Sequence, residues 1–178
     1  MKNLLIIALV FAFSGATGQI TKMALVKDQT FQMNGVQNGQ AVEKKTQTFG
    51  LTVNYETGEL NGVINLIEID LLNKNIEASP DPEMNALKIR GFLPLNDILY
   101  NMNEKQHYKV EMDLIIKEFT VTVLFDFNIA YFKNTQMNFY NVIANAPVNL
   151  LDFNIEDLNG FEPQVNIIMM FQMLNMQR

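Results

Sequence analysis

The chain holds a single histidine, His107, and no cysteine. Disulfides, thiolate metal sites, a cysteine nucleophile and a lipid-modified cysteine are therefore excluded together. A metal site centred on His107 would have to complete its ligand set from carboxylates alone, so a partly exposed loop histidine is the simpler reading. Outside the N-terminal leader the only serine is Ser79, which precedes Pro80 and lacks the Gly-x-Ser-x-Gly context of a nucleophile elbow. Glu68 with Asp70, and Asp81 with Glu83, are carboxylates two residues apart. On a strand that spacing puts both on one face, where they could act as an acid–base couple, but a solvated strand face or a loop is the expected setting for each pair. Asp152-x-Asn154-x-Glu156 followed by Asp157-x-Asn159-Gly160 offers oxygen ligands in the manner of a calcium loop. An EF-hand loop needs glycine at its sixth position, and Asp157 stands there, so a polar connection between strands is expected. Glycine-rich phosphate loops of the Rossmann or P-loop kind are absent from the sequence. No cofactor and no metal is called for.

What remains is apolar. Of 178 residues, 48% are hydrophobic and 18% charged, with 11 Met, 13 Phe, 5 Tyr and no Trp. Thioethers and phenyl rings adapt to irregular apolar shapes, whether the chain's own core or a bound lipid tail. The formal charge of −6 lacks the basic footprint that neutralises phosphates, so nucleic acid is not an expected partner.

At the N-terminus Lys2 supplies a positive start, Leu4 to Phe13 an unbroken apolar run, and Ser14 to Gly18 small residues around a cleavage point. Residues 1–18 read as a secretory signal peptide cut before Gln19, because the run is far shorter than the ~20 residues a spanning helix needs. The expectation is a periplasmic or extracellular protein with one domain over residues 19–178 and no transmembrane segment in the mature chain.

That domain reads as short alternating strands. Leu51 to Tyr55 and Leu60 to Leu71 flank a Gly58-containing turn. Val110, Met112, Leu114 and Ile116 alternate with charged residues, as Phe119, Val121, Val123 and Phe125 do with threonines. Further strands are expected at Ile20 to Val26, Thr30 to Met33, Ala41 to Gln47, Ala86 to Leu95, Met137 to Ala144 and Val165 to Leu174. Asn34-Gly35, Asn38-Gly39 and Asn159-Gly160 are expected turns. Asn96 is placed to cap one short helical turn, Asp97 to Tyr100. Apolar parity changes near Leu66-Ile67, as a doubly buried strand or a barrel-corner bulge would produce. The pattern predicts an all-β protein, an antiparallel barrel or sandwich, with an antiparallel lipocalin-like barrel of roughly eight strands preferred.

Three stretches carry a resemblance to the YceI-like proteins, secreted or periplasmic proteins with an elongated lipocalin-like barrel. They are Gly50 to Asn73, Tyr108 to Ile129, and Leu151-Asp152-Phe153-Asn154-Ile155, the last similar to a recurrent D-F-G-I with Asn154 in place of glycine. Met112 also replaces a glycine of the family pattern. The resemblance implies a non-enzymatic protein that holds an isoprenoid-type or other long apolar ligand inside the barrel. Its lining would come from the inward parity of two hairpins: Leu51, Val53, Ile67, Ile69, Val110, Met112, Leu114, Phe119, Val121, Val123 and Phe125. Two other readings stand beside it. One is an envelope or surface β-sandwich interaction module with a fully packed core. The other is an eight-stranded outer-membrane barrel, which lacks support from tryptophan girdles or a terminal aromatic residue.

Overall fold

The computed structural model describes residues 23–71, 85–101, 105–133, 138–155 and 158–174. The expected signal peptide, Ser79, Asp81, Glu83, Glu156 and Asp157 lie outside these residues. Among the described residues there are ten strands: β1 (Met23–Leu25), β2 (Lys27–Gln37), β3 (Gln40–Thr46), β4 (Gly50–Asn54), β5 (Glu59–Asn65), β6 (Ala86–Phe92), β7 (Lys105–Ile116), β8 (Phe119–Lys133), β9 (Asn138–Asn149) and β10 (Gln164–Leu174). All belong to one antiparallel sheet in the order β1-β4-β5-β6-β7-β8-β9-β10-β2-β3. A helix α1 (Leu95–Tyr100) joins β6 to β7, and a 3-10 turn, Leu150–Phe153, follows β9.

Ten segments make eight staves. Only Val26 separates β1 from β2, and three residues separate β3 from β4, so each pair is one interrupted strand. β2 bonds to β10 along one edge and to β3 along the other, while β1 bonds to β4. The β1–β2 stave thus sits between the last strand and the second stave. This pairing closes the sheet into the lipocalin-like barrel that the alternation predicts, and closure removes the long exposed edges of an open sheet.

The β7–β8 hairpin shows how the sequence sets the register. Val110, Met112, Leu114 and Ile116 face Phe125, Val123, Val121 and Phe119 across the strands, and β7 buries all four. A slip of one residue would turn this whole row to water, which is why the alternation specifies one pairing. On the other face Lys105, His107, Lys109 and Glu111 are exposed. Apolar inside and charged outside is the inverse of an outer-membrane barrel.

Turn chemistry corrects several boundaries. Asn38-Gly39 and Asn159-Gly160 both take positive φ, 51° and 76°, then 51° and 80°, as expected. Asn34-Gly35 is no turn: it lies inside β2, where a Cβ on Gly35 would meet Val165 Cγ1 at 3.0 Å. The glycine there admits a close strand neighbour. The expected strand from Leu60 to Leu71 ends at Asn65, whose Oδ1 accepts the Ile67 N–H (3.0 Å) and starts a series of turns. The change of apolar parity at Leu66-Ile67 marks this turn, neither a bulge nor a doubly buried strand. β6 stops at Phe92, and α1 begins at Leu95, with Pro94 at its N-cap and no side-chain cap. Asn96 therefore lies inside the helix. β9 runs on to Asn149, with exposed Pro147 opposite Asn166 of β10 and beyond Asn145, where the ladder to β8 ends, so the strand is paired on one side only where the N–H is missing.

Candidate ligand-binding interior

Side chains pointing into the barrel are overwhelmingly hydrocarbon. Phe31, Phe49, Phe125, Phe127, Met33, Met112, Met169 and Met173 are each at most 1% exposed. The only buried polar residues among those described are Thr46, Asn85 and Gln106. A void of about 10 Å³ lies between Phe31, Met33, Leu114, Phe153 and Ile167, barely the space of one water.

Leu51, Val53, Val110, Met112, Leu114 and Phe125 are buried on inward strand faces, and Phe119, Val121 and Val123 are partly buried against the same core. Ile67 and Ile69 are not on a strand. They sit in the turn after β5, Ile69 buried and Ile67 partly so, and with Leu66 and Leu71 they belong to the plug of one end of the barrel. Leu150 and Phe153 of the 3-10 turn close the same end. Lining contributed by β9, β10 and β2, such as Val142, Ala144, Ile167, Met169 and Phe31, was not assigned from the sequence. Its signal is the same period-2 parity, which marks two faces of a strand without saying which surrounds an interior.

The opposite end is covered by α1, which buries Leu95 and Ile98. Here the lining changes character. Tyr55 donates its hydroxyl hydrogen to the Leu174 carbonyl (2.8 Å) and Tyr140 to the Leu99 carbonyl (3.4 Å). Tyr108 donates to Gln106 Oε1 (2.8 Å), while Gln106 Nε2 donates to the carbonyls of Ile98 (3.1 Å) and Asn101 (2.6 Å). Gln106 thereby ties the end of α1 to the barrel wall. Tyr131 packs its ring on Tyr140, centroids 5.1 Å apart. Burial pushes the Tyr55 phenol above its ordinary range, with Tyr140 adding to the effect. Burial raises Tyr140 too, followed by Tyr131.

The sign of this shift gives an alkaline prediction. A phenol whose folded pKa lies above its unfolded value leaves stability unchanged below pH 10 or so and lowers it above, where the unfolded chain ionises first. Phenolate absorbance of the folded protein should lag that of the unfolded chain, and Tyr55→Phe should remove much of the lag. A titration curve that coincides with that of the denatured protein would contradict the burial.

The residues with potential for polar chemistry are dispersed. His107 lies within β7, on its outer face and not in a loop, with Nε2 3.3 Å from Asp126 Oδ1 and both side chains about half exposed. Glu68 accepts hydrogen bonds from Thr46 and Thr48, and Asp70 pairs with Lys44 at 2.9 Å, so this carboxylate pair fastens the β5 turn to β3. Of the two settings expected for Glu68 and Asp70, a solvated strand face or a loop, they take the second and lie on a turn. Asp152 accepts a bond from Asn149 and Asn154 takes a left-handed conformation after the 3-10 turn. Among the described residues no three His, Asp or Glu side chains converge.

No protein-family model and no curated protein matches this sequence. Solved structures do. A polyisoprenoid binding domain from Saccharophagus degradans, described as implicated in plant cell wall breakdown, aligns with a TM-score of 0.63 at 10% identity, covering 85% of this chain and 97% of that one. BcnA of Burkholderia cenocepacia aligns with a TM-score of 0.52 at 14% identity, covering 81% of this chain and 95% of that one. The chain is thus similar to these proteins in fold: it has the lipocalin-like antiparallel barrel expected of a YceI-like protein.

Proposed function

We propose that the protein is a non-enzymatic carrier that holds one long apolar chain, isoprenoid-type or another lipid, inside its barrel. The observation that carries this reading is the continuous hydrocarbon lining contributed by every stave of a closed eight-stranded barrel, the size at which an interior either fills with side chains or holds one small ligand. Burial is worth about 0.8 kcal/mol per methylene, so ten buried carbons would contribute roughly 8 kcal/mol before ordering costs, the scale of micromolar binding. Met33, Met112, Met169 and Met173 are unbranched and can repack to make room. Leu51, Val53, Ile69, Val110, Met112, Leu114, Phe119, Val121, Val123 and Phe125 are the proposed lining, with Ile67 at the plugged end. The polyisoprenoid-binding character of one structural neighbour supports the same ligand class. The proposed place of action is the periplasm or extracellular space, after loss of residues 1–18.

The void of about 10 Å³ favours a second reading, a packed barrel that serves as an envelope interaction module. Native mass spectrometry of protein purified without detergent, followed by organic extraction, separates them. The carrier should show a stoichiometric apolar adduct. A clean unliganded mass after exposure to a broad lipid extract would leave the packed module.

A further inference from the structure

All five tyrosines of the chain lie at the α1 end of the barrel, whereas the phenyl rings of Phe31, Phe49, Phe125 and Phe153 line the rest. Tyr55, Tyr108, Tyr131 and Tyr140 all pack toward the interior, and Tyr100 ends the helix that covers them. The interior therefore runs from a mainly hydrocarbon plugged end, where Thr46 and Asn85 are the buried polar residues and bond to the β5 turn, to a cluster of phenols at the helix end. That gradient matches an amphiphile lying lengthwise.

The hydrogen-bond arrangement narrows the chemistry of its polar end. Tyr55, Tyr108 and Tyr140 have each given their hydrogen to a protein acceptor. A phenol oxygen still accepts after it donates, so these three can receive a hydrogen but have none left to give. Tyr131 makes a ring contact, and its hydroxyl has no hydrogen-bond partner among the described residues, which leaves it able to donate. A ligand group that both donates and accepts satisfies this set. An ionised carboxylate or phosphate, which only accepts, would meet three oxygens already spent as donors, and it would lose its hydration where no basic side chain is buried among the described residues. Lys105 and Lys133 are at this rim, but both are exposed to water.

We propose that the α1 end is a subsite for an uncharged hydroxyl group, so that the barrel selects long-chain alcohols over fatty-acid or phosphate-bearing lipids. The proposal rests on the carrier reading and specifies the ligand's polar terminus.

The test offers hexadecanol, hexadecanoate and hexadecane separately and in competition to the full protein, with bound mass read by native mass spectrometry. Hexadecanol should be retained about tenfold better than hexadecanoate, the worth of roughly one well-made hydrogen bond. The double variant Tyr131→Phe, Tyr140→Phe should lose most of that preference while retaining hexadecane as wild type does, which also reports an intact barrel. Tyr131→Phe alone, at a partly exposed ring, serves if the double variant fails to fold. Equal retention of alcohol and carboxylate, a preference for the carboxylate, or a preference that survives loss of the hydroxyls would overturn the subsite while leaving the carrier intact. Retention of none of the three would overturn both.

Discussion

Met112→Asp is expected to abolish cooperative folding at pH 7, a loss of more than about 4 kcal/mol, and to recover part of it near pH 4. Met112 is fully buried in the middle of β7, across from Val123 on one side and Gly91 on the other. Val110, Leu114, Val121 and Phe125 continue the same apolar face along the two strands, and Thr46, Asn85 and Gln106 are the only buried polar residues described. A carboxylate placed there has no cation or donor to offset its lost hydration, a cost of several kcal/mol. The group would respond by raising its pKa. Its neutral form is then favoured in the folded state, so stability is retained below the unfolded value of about 3.9 and lost as pH rises above it. Urea midpoints at the two pH values measure the effect. Met112→Leu conserves volume and should cost less than about 1.5 kcal/mol, which isolates charge burial from shape. An aspartate tolerated at pH 7 would show that water reaches the centre of the barrel.

Gly58→Ala should destabilise the protein by about 3 kcal/mol, a fall of some 10 °C in melting temperature for a chain of this size. Gly58 sits at φ 79° in the turn between β4 and β5. Its N–H donates to the Asn54 carbonyl, and its own carbonyl accepts the Leu93 N–H, both at 2.8 Å. A Cβ would collide with the Leu93 carbonyl oxygen, a backbone atom that cannot swing aside. Strain and clash therefore add. Gly39 provides the comparison: its φ is 76°, yet nothing lies within 4 Å of its Cβ position. Gly39→Ala should cost only the conformational strain, about 1 kcal/mol. Similar losses at both positions would mean that the Gly58–Leu93 contact relaxes freely. Because Leu93 leads directly into α1, Gly58→Ala should also speed amide exchange in the helix before the rest of the barrel opens.

Alternation in β7 and β8 was legible because each strand has one wet and one dry face. From Val110 to Ile116 and from Phe119 to Phe125 the apolar parity is the row turned inward, although the row begins with the buried Gln106 and Leu124 lies exposed on the outer face. Asn38-Gly39 and Asn159-Gly160 were legible because few residues take two adjacent positive φ values. Asn34-Gly35 has the same letters in another role, since the space beside Val165 is set by a strand far away in the sequence. Leu66 to Leu71 misled for a related reason: a buried turn and a strand buried on both faces leave the same apolar record. The candidate lining was half legible. Parity marked the inward residues of two hairpins, but β9, β10 and β2 complete the wall, and only their pairing brings them to it.

Residue types alone narrowed the chemistry. The absence of cysteine excludes thiol chemistry, the many methionines and phenylalanines supply an apolar interior, and the period-2 pattern makes that interior a sheet. Tertiary structure decided the closure, through the single residue Val26 at which one stave leaves β4 for β10. It also decided that the tyrosines, scattered between residues 55 and 140, meet at one end. Both follow from register between distant strands, and local sequence periodicity carries no information about which strands become neighbours.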